Sequence, residues 1–145
     1  MIFSTTTGYA LRVLTWMPED GSYHFAKDLA SQLALPAPYL AKILKLLARN
    51  GILHSIRGPR GGFRLVRPAH RITLGDVVFA LDGQDPGSGC VLGLSDCKRQ
   101  GKGCPLQAVC REARASQHAI LSRVTIRDLQ LLERDRRSWR LTVSH

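Results

Sequence analysis

Acidic residues are missing from nearly a third of this chain. None occurs between Asp28 and Asp76, while the same interval holds Lys42, Lys45, Arg49, Arg57, Arg60, Arg64, Arg67 and Arg71. Over all 145 residues, 21 lysines and arginines face 11 acids, a formal charge of +10. That imbalance favours a polyanionic partner, nucleic acid first. Long apolar runs are also absent, because charge interrupts every one of them. The opening "MIFSTTTGYALR" lacks the basic stretch and apolar core of a secretory signal. The expectation is a cytoplasmic protein with no membrane partner. Aromatic residues make up only 6%, with no interleaved stacking platform, which argues against single-stranded RNA. No Cys-x-x-Cys pair, paired carboxylates, nucleophile-histidine arrangement or phosphate loop occurs, which argues against an enzyme. There is no internal repeat or low-complexity tract. The length suits one ordinary domain and excludes a large multidomain enzyme.

What is present begins with helical periodicity. Tyr9, Ala10, Val13, Leu14 and Met17 recur at threes and fours before Pro18 and Gly21 end the pattern. Phe25, Leu29 and Leu33 mark a short second helix, closed by the turn at Pro36 to Pro38. Pro38 suits the first turn of a third helix, where Leu40, Ile43, Leu44 and Leu47 form an apolar stripe that Gly51 stops. The period then changes to two: Ile52, His54 and Ile56, then Phe63 and Leu65, flank the glycine-rich "RGPRGG", a hairpin. Thr73 and Asp76 resemble a capping box ahead of a helix that Gly83 closes. From Pro105, Leu106, Cys110, Ala113, Gln117, Ile120 and Val124 step as in a coiled-coil seam, a candidate dimer contact. Thr125 and Asp128 cap a last helix.

This order is that of a winged helix-turn-helix. The fold expected is mainly α, with a two-stranded β wing and a long C-terminal dimerisation helix. Four parts follow: a DNA-binding domain over residues 1–82, a cysteine-rich loop over 83–104, dimerisation helices over 105–135 and a basic tail over 136–145. On the third helix Tyr39, Lys42, Lys45 and Arg49 share one face, which fits a major groove. Phosphate contacts fix register without carrying sequence, so these lysines are positioning groups. Arg57 and Arg60 belong to the hairpin, and Arg60 at its tip suits a narrow minor groove.

The four cysteines, Cys90, Cys97, Cys104 and Cys110, fall within 21 positions, separated by six, six and five residues. Structural zinc takes its ligands as closer pairs. Six-residue loops containing Gly93, Gly101 and Gly103 instead suit a polynuclear iron-sulfur site. Cys110 lies in the apolar stripe and reads first as a buried structural thiol. A reversible thiol or disulfide switch at Cys97 or Cys104 is the alternative. His24, His54, His70, His118 and His145 show no ligand spacing among themselves and read as ordinary polar residues.

"PYLAKILKLLARNGILHSIRGPRGGFRL", "ITLGDVVFALDG", "CVLGLSDC", "CPLQ" and "TIRDL" together resemble the Rrf family of winged-helix transcription regulators, the group that contains IscR and NsrR. The likeness runs from "GYALRVL" to "TIRDL". It implies a homodimer on a palindromic double-stranded operator and DNA contacts from Tyr39 to Arg49 and around Arg60. It also implies a 2Fe-2S or 4Fe-4S cluster on Cys90, Cys97 and Cys104, sensing iron-sulfur status, nitric oxide or redox state. The IscR-like fourth ligand is a histidine three residues after the third cysteine, where this chain has Gln107. The NsrR-like one is an acid just before the helix-one tyrosine, where it has Gly8. Cys110, a small molecule or a residue of the second subunit remain as fourth-ligand candidates.

Overall fold

The computed structural model describes residues 3–83, Cys90 and residues 103–143. Its elements in chain order are α1 (Thr5–Trp16), α2 (Ala26–Leu33), α3 (Ala37–Arg49), β1 (Leu53–Ile56), β2 (Gly62–Leu65), a 3-10 turn (Ala69–Arg71), α4 (Leu74–Asp82), α5 (Gln107–Arg123) and α6 (Ile126–Val143). The mainly helical class and the two-stranded wing are as expected.

Each boundary has a local cause. Ser4 caps α1, its Oγ accepting from the Thr7 amide at 3.2 Å, and Met17 turns extended ahead of Pro18. α2 ends at Ala34, whose φ of 52° is the left-handed region that costs an L residue about 1 kcal/mol. The tight turn into α3 requires it: the Leu35 amide reaches back to the Ala30 carbonyl at 3.1 Å. Pro38 opens α3, where its missing N–H costs nothing, and Gly51 at φ 75° leads out. At α4 the capping box is complete, with the Thr73 hydroxyl and the Asp76 carboxylate each serving the other's amide.

One apolar core joins these elements. Ala10, Val13 and Leu14 of α1, Leu29 and Leu33 of α2, Leu40, Ile43, Leu44 and Leu47 of α3 and Val77 and Val78 of α4 are all buried. From the C-terminal helices, among the described residues, Leu121 and Ile126 join them. The α5–α6 turn is stitched to the entry of α4 by antiparallel bonds, Leu74 N–H to the Val124 carbonyl at 2.9 Å and Ile126 N–H to that of Ile72 at 2.8 Å. Gln130, buried, donates to the Met17 carbonyl at 3.1 Å and so closes the end of α1. Glu19 receives Arg127 at 2.9 Å and the Ala69 amide at 3.0 Å.

Three details differ from the pattern read in the sequence. In β1 the inward residue is Leu53, while His54 and Ile56 are exposed; Ile52 is buried because its amide still closes α3 onto the Leu47 carbonyl. The wing gains a third partner, since His24 and Phe63 exchange both backbone hydrogen bonds at 2.9 Å. The basic stretch from residue 136 continues α6 to Val143 rather than forming a separate tail, as residues 126–143 contain no glycine or proline to break the helix.

Candidate nucleic-acid interface

α3 presents two faces. Its apolar stripe is pinned in the core, which forces Lys42, Lys45 and Arg49 outward, all three exposed. Among the described residues, none of the three has an ion-pair partner. Tyr39 sits differently: half-buried, its ring stands edge-on to Tyr9 at 5.6 Å and 89°. It therefore seats the first turn of α3 against α1, while the three cations form the solvent face. Arg12 lies over the other member of this pair, 5.7 Å from the Tyr9 centroid.

The wing tip is a β-turn. The Gly61 amide donates to the Gly58 carbonyl at 2.9 Å, leaving Pro59 and Arg60 as its central residues. A side chain on Gly61 would meet the Ile56 carbonyl at 2.5 Å, so this closure needs glycine. Arg57, just before the turn, and Arg60, within it, are both exposed. Pairing of Leu53 with Leu65, His54 with Arg64, Ser55 with Phe63 and Ile56 with Gly62 fixes the register that carries them.

Not every arginine of the acid-free interval is free for a partner. Arg64 stacks over Tyr23 at 4.7 Å and donates to the Gly21 carbonyl at 3.2 Å. Arg67 pairs with Asp76 at 3.3 Å and donates to the Arg71 carbonyl. Burial alone would raise the Asp76 carboxyl, but the Thr73 amide and hydroxyl together with Arg67 outweigh it and hold its pKa below the ordinary value. The histidines His24 and His54 serve the wing base: His54 meets the Tyr23 hydroxyl at 2.9 Å, and His24 lies 3.1 Å from Asp20. Tyr23 lies 31 residues from His54, and Gly21 lies 43 from Arg64, so no local spacing announces these contacts.

Hydrogen bonds from the Ser22 hydroxyl and amide, then from His24, hold the Asp20 carboxyl down at about 2. It is ionised more readily in the folded than in the unfolded chain, where 3.8 applies. Its contribution is therefore complete above about pH 4 and disappears as pH falls toward 2. Asp20→Asn is expected to flatten part of the acid side of the stability profile, by a modest amount because the group is exposed; urea midpoints between pH 5 and 2.5 measure it.

Cys90, Cys104 and Cys110 are each half-buried, Cys104 just ahead of α5 and Cys110 in its first turn. Cys110 is thus not the fully buried thiol its place in the stripe suggested. Cys97 lies outside the described residues. Among the described residues no three His, Cys, Asp or Glu side chains gather as a metal-binding group. No helix among them is long and apolar enough to cross a membrane.

An outward basic helix backed by a glycine-turned basic wing defines a winged helix-turn-helix DNA-binding protein. The chain belongs to the Rrf2 family: residues 3–131 match the family described as iron-dependent transcriptional regulator. It is 32% identical over 131 residues to the HTH-type transcriptional regulator MT1325 of Mycobacterium tuberculosis, covering 89% of this chain and 81% of that protein. Among solved structures it shares its fold with CymR, the global cysteine regulator of B. subtilis, at 24% identity and a TM-score of 0.66, covering 90% of this chain and 96% of that one. T. potens IscR has the same fold at 23% identity and a TM-score of 0.64, covering 87% and 83%. The chain is therefore a transcriptional regulator and not an enzyme.

Proposed function

We propose that this regulator binds a palindromic double-stranded operator as a homodimer, with affinity set by an iron-sulfur cluster on Cys90, Cys97 and Cys104. The observation that carries the DNA half is the face of Lys42, Lys45 and Arg49, exposed and, among the described residues, without ion pairs, beside a wing that holds Arg57 and Arg60 outward. Lysines and arginines so placed neutralise phosphates, and α3 is long enough to lie in a major groove while Arg60 reaches the adjoining minor groove. The dimer half rests on α5. Seventeen residues long, it buries only Leu121, while Leu106, Val109 and Ile120 stay exposed on one chain.

The donor set supports the cluster half. Cys90 and Cys104 are half-buried at the two ends of the cysteine segment, neither sealed in the core nor fully open, and thiolates are the usual ligands of such a group. When bound, the cluster would supply iron that small oxidants or nitric oxide can attack. Cys90, Cys97 and Cys104 would hold it, with Cys110 as the nearest thiolate in sequence for a fourth position. The remaining work is done by the chain: α5 begins three residues beyond Cys104, directly after Pro105 and Leu106, so ordering of that thiol bears on the dimer helix.

The test is the visible absorbance, iron and sulfide content of anaerobically purified protein, then binding to a duplex selected by the protein from a random library, before and after chelation. A coloured protein whose affinity changes on chelation is expected. A colourless protein that cannot be reconstituted yet binds DNA in a thiol-dependent way would replace the cluster by disulfide chemistry at Cys97 or Cys104.

A further inference from the structure

The chain enters the cysteine segment from the last residue of α4, and that residue is fastened to the other end of the domain. Asp82 accepts three hydrogen bonds: from the Ser4 amide at 3.1 Å on one carboxylate oxygen, and from the Ser4 hydroxyl at 2.7 Å and the Thr7 hydroxyl at 2.8 Å on the other. Ser4 is the N-cap of α1 and Thr7, fully buried, lies in its first turn. A carboxylate at this position also meets the positive end of the α1 dipole. Partial burial opposes ionisation of Asp82, but these donors prevail and its pKa lies below the ordinary value. Directly after it, Gly83 takes a left-handed φ of 67° and sends the chain away from α4.

The fastening leads onward to the DNA face. Two residues beyond Thr7 on α1 stands Tyr9, whose ring meets Tyr39 edge-on at 5.6 Å. Tyr39 is in the first turn of α3, three residues before Lys42. The root of the cysteine segment is thus connected to the recognition helix through Asp82, the first turn of α1 and one aromatic pair.

We propose that Asp82 is the positioning residue through which the state of the cysteine segment reaches α3. In the binding-competent state its carboxylate holds the N-terminal turn of α1, and Tyr9 holds Tyr39. When the segment changes state and pulls on the last turn of α4, the three hydrogen bonds loosen and α3 loses its seat. This inference rests on the proposed dependence of DNA affinity on the cysteine segment. A simple staple would behave differently: losing it would weaken binding equally in both states and leave their ratio intact.

The experiment measures the Kd for the selected duplex with protein as purified anaerobically and with the same protein after chelation and thiol oxidation. Wild type is expected to differ between the two states by roughly 5- to 150-fold, the usual range of coupling between sites. Asp82→Ala should retain the visible absorbance and iron content of wild type but bring that ratio to within about twofold of one, and Asp82→Asn, which keeps the shape and loses the charge, should fall between. A wild-type ratio of one removes the state dependence itself and this inference with it. A responsive wild type matched by an equally responsive Asp82→Ala overturns the inference alone. Should the alanine variant not fold, hydrogen exchange on wild type decides: protection of the Ser4, Thr7 and Gly8 amides must change between states, and unchanged protection overturns the coupling.

Discussion

Replacing Lys42, Lys45 and Arg49 together by alanine is expected to weaken binding to a random-sequence 30-base-pair duplex by roughly 10²- to 10³-fold at 0.1 M salt. The three side chains project from one face of α3 and, among the described residues, pair with no acid, so each can neutralise a phosphate and release its counterion. At ~0.9 per phosphate contact, the slope of log K against log salt should become shallower by about 2.7. None of the three belongs to the core, so the urea midpoint should hardly move. An unchanged slope would mean that the duplex does not meet α3. Tyr39→Ala predicts the opposite signature: a loss of stability through its contact with Tyr9, with the salt slope retained.

That contrast shows where the sequence could be read and where it could not. The α3 stripe and its cationic face follow from a 3.6-residue period, which places Leu40, Ile43, Leu44 and Leu47 on one side whatever the rest of the chain does. Caps are equally local: Thr73 with Asp76, and Thr125 with Asp128, whose carboxylate accepts from the Thr125 amide at 2.8 Å, need only a three-residue spacing. The wing turn announces itself through glycine and proline. What stayed hidden depends on partners distant in sequence. Tyr39, Lys42, Lys45 and Arg49 share a helix face by spacing, yet only the proximity of Tyr9 turns the tyrosine inward. Arg64 and Arg67 look as available as Arg60 until Tyr23 and Asp76 are placed beside them. No periodicity leads from Ser4 to Asp82, or from Gln130 to the last turn of α1. The basic run from residue 136 read as a tail because charge is common to solvated helices and tails alike. Without glycine or proline, the helix simply goes on.

His24 shows how a single unpatterned residue can govern the interface. One residue paired to Phe63 leaves no alternation for a sequence to display, yet it ties the wing to the connection between α1 and α2. Through that tie the position of Arg57 and Arg60 relative to α3 is fixed by the core rather than by the hairpin alone, which as an isolated two-stranded ribbon would be marginally stable.

Gly62→Ala is therefore expected to damage the wing severely through a single added methyl. Gly62 has a φ of 137°, a conformation that L side chains rarely adopt, and a Cβ there would lie 2.7 Å from the His24 carbonyl oxygen and 2.9 Å from its carbon. These are backbone atoms held by two hydrogen bonds, so they cannot swing aside as a side-chain tip would. Either the His24–Phe63 pair opens or β2 shifts outward, carrying Arg60 with it. Strain of about 1–3 kcal/mol and hydrogen bonds worth ~1 kcal/mol each give a loss of roughly 2–4 kcal/mol in urea unfolding. Affinity for the selected duplex should fall as well, because the wing arginines leave their register with α3. Gly8→Ala supplies the control. Gly8 lies within α1 with open space around its Cα, so alanine there should match wild type or add up to about 1 kcal/mol through helix propensity. A Gly62→Ala protein as stable as the Gly8→Ala one would mean that the wing is not paired to His24, and the geometry that aims Arg60 would have to be sought elsewhere.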